Sequence, residues 1–96
     1  MIPLKPHIRK NGNDYYLIAR TKKVAIYELH GLDRYHYEVF YIRKTKPKKV
    51  KGVDFPSREK FPSDEDFGST AWTFMCTDDA FIKFNSLADG DEITLY

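Results

Sequence analysis

An α+β fold is predicted: a three- to five-stranded, mainly antiparallel sheet with one C-terminal helix packed on a face. Three observations predict it. Residues 15–42 hold three runs rich in β-branched and aromatic residues, joined by short links. Short links favour antiparallel hairpins, because a parallel return needs a crossover of a dozen or more residues. Near the C-terminus Ala80, Phe81, Phe84, Leu87 and Ala88 recur at helical spacing and form one apolar stripe. At 96 residues, 42% hydrophobic and 31% charged, the chain suits one modest core.

The organisation expected is an N-terminal arm, 1–13, followed by a single domain, 14–96. Pro3 and Pro6 favour extended backbone in the arm, and Asn11-Gly12-Asn13-Asp14 is turn chemistry. The strand runs are Tyr15–Arg20, Lys23–Leu29 and Tyr35–Ile42. A four-residue loop, Gly31–Arg34, would set His30 opposite Tyr35, Ile26 opposite Val39 and Val24 opposite Tyr41. One face then carries Val24, Ile26, Glu28, His30, Tyr35, Tyr37, Val39 and Tyr41. The other carries Ala25, Tyr27, Leu29, His36, Glu38, Phe40 and Ile42. Both are apolar, so each needs a cover: a helix on one, and the arm, a partner or a second copy on the other.

Beyond the third run, 43–51 reads as a basic connector, 50–55 as a short strand and 56–68 as irregular chain. Ser63 is placed to cap one helical turn over Asp64-Glu65-Asp66, which Gly68 ends. Ala71–Cys76 is an apolar strand. Thr77–Ala88 is the helix, with Thr77 as its cap, Asp78 and Asp79 in its first turn and Gly90 past its end. Ile93–Tyr96 is a last short strand. The expected core is Leu17, Val24, Ile26, Val39, Trp72, Phe74, Phe81, Phe84 and Leu87. The phenylalanines are expected to fill most of it, with part of the tyrosine set on an accessible face.

The net charge of +2 hides a division. Residues 1–51 carry +9 and residues 52–96 carry −7. A basic face could therefore attract an anionic partner, although the two halves could equally attract each other. No apolar run approaches the length of a membrane span. The N-terminus lacks an apolar signal core, and the lone Cys76 suits a reducing compartment, so a cytoplasmic location is expected.

Catalysis finds no support. There is no Gly-rich phosphate loop, nucleophile elbow or paired-histidine zinc motif, and neither a catalytic residue, a metal nor a cofactor is expected. Cys76 reads as a buried structural thiol. His30 and His36 point to opposite faces, and Asp33 beside His30 makes too few ligands for zinc. His7 lies in the arm. Asp64, Glu65 and Asp66 lack the spacing of a calcium loop.

The basic connector is the candidate binding feature. Arg43, Lys44, Lys46, Lys48, Lys49 and Lys51 can meet phosphates, and the preceding strand offers Tyr35, Tyr37 and Tyr41 on one face for base stacking. The competing reading is a solvated loop, with the tyrosines packed beneath the arm.

The motifs Leu17-Ile18-Ala19-Arg20-Thr21, Val24-Ala25-Ile26-Tyr27-Glu28, Tyr37-Glu38-Val39 and Phe61-Pro62-Ser63-Asp64-Glu65-Asp66-Phe67-Gly68 resemble small uncharacterised accessory proteins of tailed bacteriophages and mobile elements. The resemblance spans most of residues 14–88. It implies no catalytic residue. It implies a non-enzymatic protein of the host-cell cytoplasm that binds a host factor, phage machinery or its own copy. The alternative is a nucleic-acid-binding module using 43–51 and the tyrosine face. The C-terminal end is also similar to nucleic-acid-binding WGR domains. Trp72-Thr73-Phe74 stands where that family has Trp-Gly-Arg, so no site carries over.

Overall fold

The structure, a computed structural model, describes residues 1–31 and 35–96. Among these the strands are β1 (His7–Lys10), β2 (Asn13–Arg20), β3 (Val24–His30), β4 (Tyr35–Tyr41), β5 (Arg43–Lys44), β6 (Lys48–Val50), β7 (Val53–Phe55), β8 (Glu59–Lys60), β9 (Ala71–Phe74) and β10 (Thr94–Leu95). One α-helix, α1, spans Thr77–Ala88, and a 3₁₀ turn spans Asp64–Asp66. The main sheet runs β1-β2-β3-β4-β9, antiparallel throughout, and β10 adds to β2 beside β1. The α+β class expected from the sequence is the one observed.

The β3–β4 register is the one expected from a four-residue loop: Val24↔Tyr41, Ile26↔Val39 and His30↔Tyr35. The loop expected at 31–34 falls largely outside the described residues, and Asp33 with it. In β2 the pairing shifts between Leu17 and Ala19, a bulge at Ile18. The extra residue lets Leu17 pack on one face while Ile18 and Ala19 both pack on the other.

Each face of the sheet has a cover from its own chain. On one side Ala80 and Phe84 of α1 pack on Ala19, Val24, Ile26, Tyr37 and Val39. On the other, Leu4 from the arm and Phe61 and Phe67 from the 56–68 stretch pack on Leu17, Ala25, Tyr27, Leu29, Phe40 and Ile42. The Tyr27 hydroxyl donates to the Lys5 carbonyl at 2.7 Å, tying the arm down. The 1–13 arm is thus only partly an arm. His7–Lys10 is a strand of the sheet, turned into β2 by Asn11 and Gly12 at φ 53° and 79°. Two successive positive φ angles define the tight hairpin turn that Asn-Gly favours.

The tyrosines divide as expected, with Tyr16, Tyr35 and Tyr41 exposed. Tyr15, Tyr27 and Tyr37 are buried, whereas Trp72, Phe74, Phe81 and Leu87 are half-buried and Phe55 is exposed. A tyrosine can enter a core when its hydroxyl reaches a partner, as that of Tyr27 does. The helix cap also differs. Cys76, in extended backbone, precedes the first turn without a side-chain hydrogen bond, and Thr77 is already helical; the Cys76 thiol is exposed, not buried as expected, because β9 ends at Phe74, before it. At the 3₁₀ turn the expected roles are reversed: Asp66 Oδ2 accepts the Ser63 N–H at 2.9 Å.

The largest departure lies in 43–60. In place of a connector, one short strand and irregular chain, β5 pairs with β8 and β6 pairs with β7. The two pairings share one register. Four steps along each strand from Lys44↔Glu59 lead to Lys48↔Phe55, so Pro47 stands opposite Pro56 between them. Neither proline has an N–H to donate, and the ladder is interrupted there. The whole is one basic ribbon turned at Lys51 and Gly52, at φ 49° and 79°.

Candidate nucleic-acid interface

The ribbon is fastened at its root. Arg20 donates through Nη1 and Nη2 to both carboxylate oxygens of Glu59, at 2.5 and 2.6 Å. The Leu4 N–H donates to Glu59 Oε1 at 3.0 Å. Ile2 joins the ribbon as a short parallel bridge to Arg58: its N–H donates to the Ser57 carbonyl at 3.0 Å, and its carbonyl accepts the Glu59 N–H at 2.8 Å. Arg20 and Glu59 are largely buried, at 15% and 8% side-chain exposure. The Arg20 hydrogen bonds outweigh burial and hold the Glu59 carboxyl below its ordinary value, with help from the Leu4 N–H.

Beyond the root the ribbon is exposed. Alternation places Lys46, Lys48, Val50, Val53 and Phe55 on one face and Lys49 and Asp54 on the other. Between Thr45 and Arg58 there are five basic residues against one acid, Asp54. Among the described residues Lys46, Lys48, Lys49 and Lys51 have no ion-pair partner. A groove of about 710 Å³ opens between the ribbon and the chain start, floored by Ile2, Val50, Phe55 and Pro56. Lys46, Lys48 and Arg58 edge it. Lys48 Nζ stands 6.0 Å from the Phe55 ring centroid.

The nine residues expected to form one interface are divided by the fold. Lys46 and Lys48 line the groove, Lys49 lies on the opposite ribbon face and Lys51 lies in the turn. Lys44 sits across from Glu59 at the root. Arg43 is engaged: its Nη1 donates to both oxygens of Asp66, at 2.9 and 3.1 Å. The tyrosines do share one sheet face, but they do not join the ribbon. Tyr37 is buried on the helix-covered face, which removes it as a stacking residue. Tyr41 lies edge-on to Trp72, 6.1 Å between centroids, and Lys83 stands over the Trp72 ring at 4.1 Å. Tyr35 is at the far end of β4, about 20 Å of extended strand from Tyr41.

Tyr35 belongs instead to an aromatic row that crosses four strands. His7 stacks on Tyr16 at 4.8 Å, Tyr16 meets His30 at 4.8 Å, and His30 stacks on Tyr35 at 4.4 Å. His7 also contacts Asp14 at 2.8 Å, and His30 contacts Glu28. The His7 contact and the Arg9 guanidinium hold the Asp14 carboxyl below its ordinary value against the opposing effect of desolvation. These rings lie against one another, so the row acts as a cross-strand brace.

Sequence reading missed Ile2 and Arg58 as groove residues, because their nearness to Lys46 arises only when the chain start crosses the ribbon. Phe55 ends the expected 50–55 strand and belongs neither to the expected core nor to the expected binding residues. Its signal was positional: it flanks Pro56 at the exit of a lysine-rich hairpin.

Among the described residues no group of three or more His, Cys, Asp and Glu side chains is placed to hold a metal ion. No helix is long and apolar enough to cross a membrane. No known family model matches the chain, and neither does any curated protein or solved structure. The molecule is described by its own architecture: an α+β domain from which a lysine-rich ribbon protrudes.

Proposed function

We propose that this protein is a nucleic-acid-binding module that grips phosphates with its basic ribbon. The observation that carries this reading is the set of four lysines on one hairpin that have no ion-pair partner among the described residues, with Arg58 beside them and Asp54 as the lone acid between Thr45 and Arg58. A fold spends backbone order on holding these like charges together, at a repulsive cost that an anionic partner relieves. The ribbon is anchored by Glu59 and Ile2, so little further ordering is needed on binding. The competing reading, a protein partner, rests on the phage-type resemblance and on two apolar sheet faces. The helix, the arm and the 56–68 stretch already cover those faces, which removes the second of these supports.

The test is fluorescence anisotropy of a labelled oligonucleotide, read at low and physiological salt. Five cations meeting phosphates give an affinity that falls roughly 100-fold between about 50 and 200 mM salt. A Lys46→Ala, Lys48→Ala, Lys49→Ala triple variant should lose most of the affinity and most of the salt slope. Undiminished binding by that variant, or no binding by the parent protein at low salt, refutes the reading.

A further inference from the structure

We infer that the groove between the ribbon and the chain start seats one unstacked base of a single-stranded nucleic acid, with its flanking phosphates on Lys46, Lys48 and Arg58. The inference rests on the nucleic-acid reading and adds to it the strandedness of the ligand and the seat of its base. Phosphate contacts need only cations, yet this site also exposes apolar side chains. Ile2, Val50 and Phe55 are 47%, 43% and 46% exposed, and all three stand outside both cores. Pro56 extends their surface. A duplex presents phosphates outward and keeps its bases stacked, so the apolar floor would stay wet beneath it. A single strand can turn a base out and lay it on such a floor.

The charge pattern selects the occupant. Neutral apolar ligands leave the three rim cations unpaired, and a bare anion leaves the floor uncovered. A nucleotide within a strand satisfies both, since a flat apolar base is followed within one residue by an anionic phosphate. Lys48 and Phe55 are direct cross-strand partners on one face. Lys48 Nζ lies over one side of the Phe55 ring, 6.0 Å from its centroid, so a base laid against the ring's open part has this cation within reach of its own phosphate. The cavity of about 710 Å³ falls within the usual range for a site that holds a small molecule, matching one nucleotide rather than a long tract.

The experiment compares a single strand with the duplex of the same sequence, at one salt concentration, against the full chain and its Phe55→Ala and Lys48→Ala variants. Phe55 lies outside the core, so its truncation leaves the fold intact by circular dichroism. The expected result is at least a 10-fold preference for the single strand. Phe55→Ala should abolish the preference and keep the salt-dependent residue of binding, while Lys48→Ala should weaken both ligands. An oligonucleotide with abasic sites tests the same seat without altering the protein, and should bind about as weakly as the duplex. Equal affinity for single strand and duplex, or full affinity for the abasic strand, overturns the base seat while leaving the phosphate reading standing. No binding to any of these probes at low salt overturns both.

Discussion

Arg20 and Glu59, 39 residues apart in sequence, meet in a two-pronged ion pair that joins the end of β2 to the root of the basic ribbon. The same carboxylate takes the Leu4 N–H, so one acid holds the sheet, the arm and the ribbon in fixed relation. Replacing Glu59 with Ala leaves the Arg20 guanidinium largely buried without its partner. The expected cost is about 2–4 kcal/mol, read as a shift in urea midpoint. The ribbon should also become a protease target, visible as new tryptic cleavage after Lys48, Lys49 or Lys51. A variant with the parent midpoint and cleavage pattern would show that the ribbon is held by other contacts.

The same pair sets an acid limb of stability. Arg20 holds the folded Glu59 carboxyl below the ordinary value of 4.5, which the unfolded chain regains. The unfolded state therefore binds the proton more readily, and protonation favours unfolding. The contribution is complete above pH 4.5 and is lost as pH falls through the lowered folded value. Melting temperatures followed from about pH 7 to about pH 3 should fall more gently for Glu59→Gln than for the parent. A residual slope should survive, because Asp14 and Asp66 are held low in the same direction by His7 and by the Ser63 N–H.

Phe84 is fully buried beneath the helix and Phe81 only partly. Phe84→Ala should cost about 3–5 kcal/mol, and Phe81→Ala distinctly less. Thermal or urea unfolding of the two variants ranks them. An equal loss would mean that α1 presents a different face to the sheet.

Removing only the Tyr27 hydroxyl tests the arm. Its donation to the Lys5 carbonyl is lost in Tyr27→Phe, while the ring keeps its packing against Phe40 and Phe61. About 1 kcal/mol of stability should go, together with faster amide exchange at Leu4, whose N–H is held by Glu59. Unchanged exchange there would indicate that Glu59 and Ile2 hold the arm without help.

The two Lys/Asn-Gly turns should respond differently to the same change. A Cβ at Gly12 or at Gly52 meets no atom within 4 Å, and both residues have φ of +79°. Gly→Ala therefore costs about 1 kcal/mol of backbone strain at either site. At Gly12 the turn joins β1 to the sheet, and the melting temperature should drop. At Gly52 the turn lies at the ribbon tip, remote from both cores, and the global melt should move little. Equal shifts would mean that the ribbon tip unfolds together with the domain.

The strand runs at 15–42, the β3–β4 register and the helix from Thr77 to Ala88 were legible in the sequence. In each the signal is local: β-branched and aromatic runs joined by short links for the strands, and an apolar spacing between three and four for the helix. The ribbon was not legible. Lys48-Lys49-Val50 is too charged and too short to read as a strand, and prolines at 47 and 56 suggest breaks. Only their placement at equal distances from the Lys51-Gly52 turn reveals paired strands. The lysines of the candidate site were identified from charge density alone. Their separation from Tyr35 was hidden, because a list of aromatic residues carries no distance along a strand.

By itself the sequence determined which residues alternate, and therefore that the β3–β4 pair has two apolar faces needing cover. It also determined the amphipathic helix able to supply one cover. Only the tertiary structure decided that the second cover comes from Leu4, Phe61 and Phe67 of the same chain, and that the basic segment folds into a ribbon crossed by Ile2. The physical reason is range. Periodicity reports how a residue sits relative to neighbours a few positions away. Arg20 with Glu59, or Ile2 with Arg58, is a meeting of distant segments decided by shape and by the need to satisfy a buried charge.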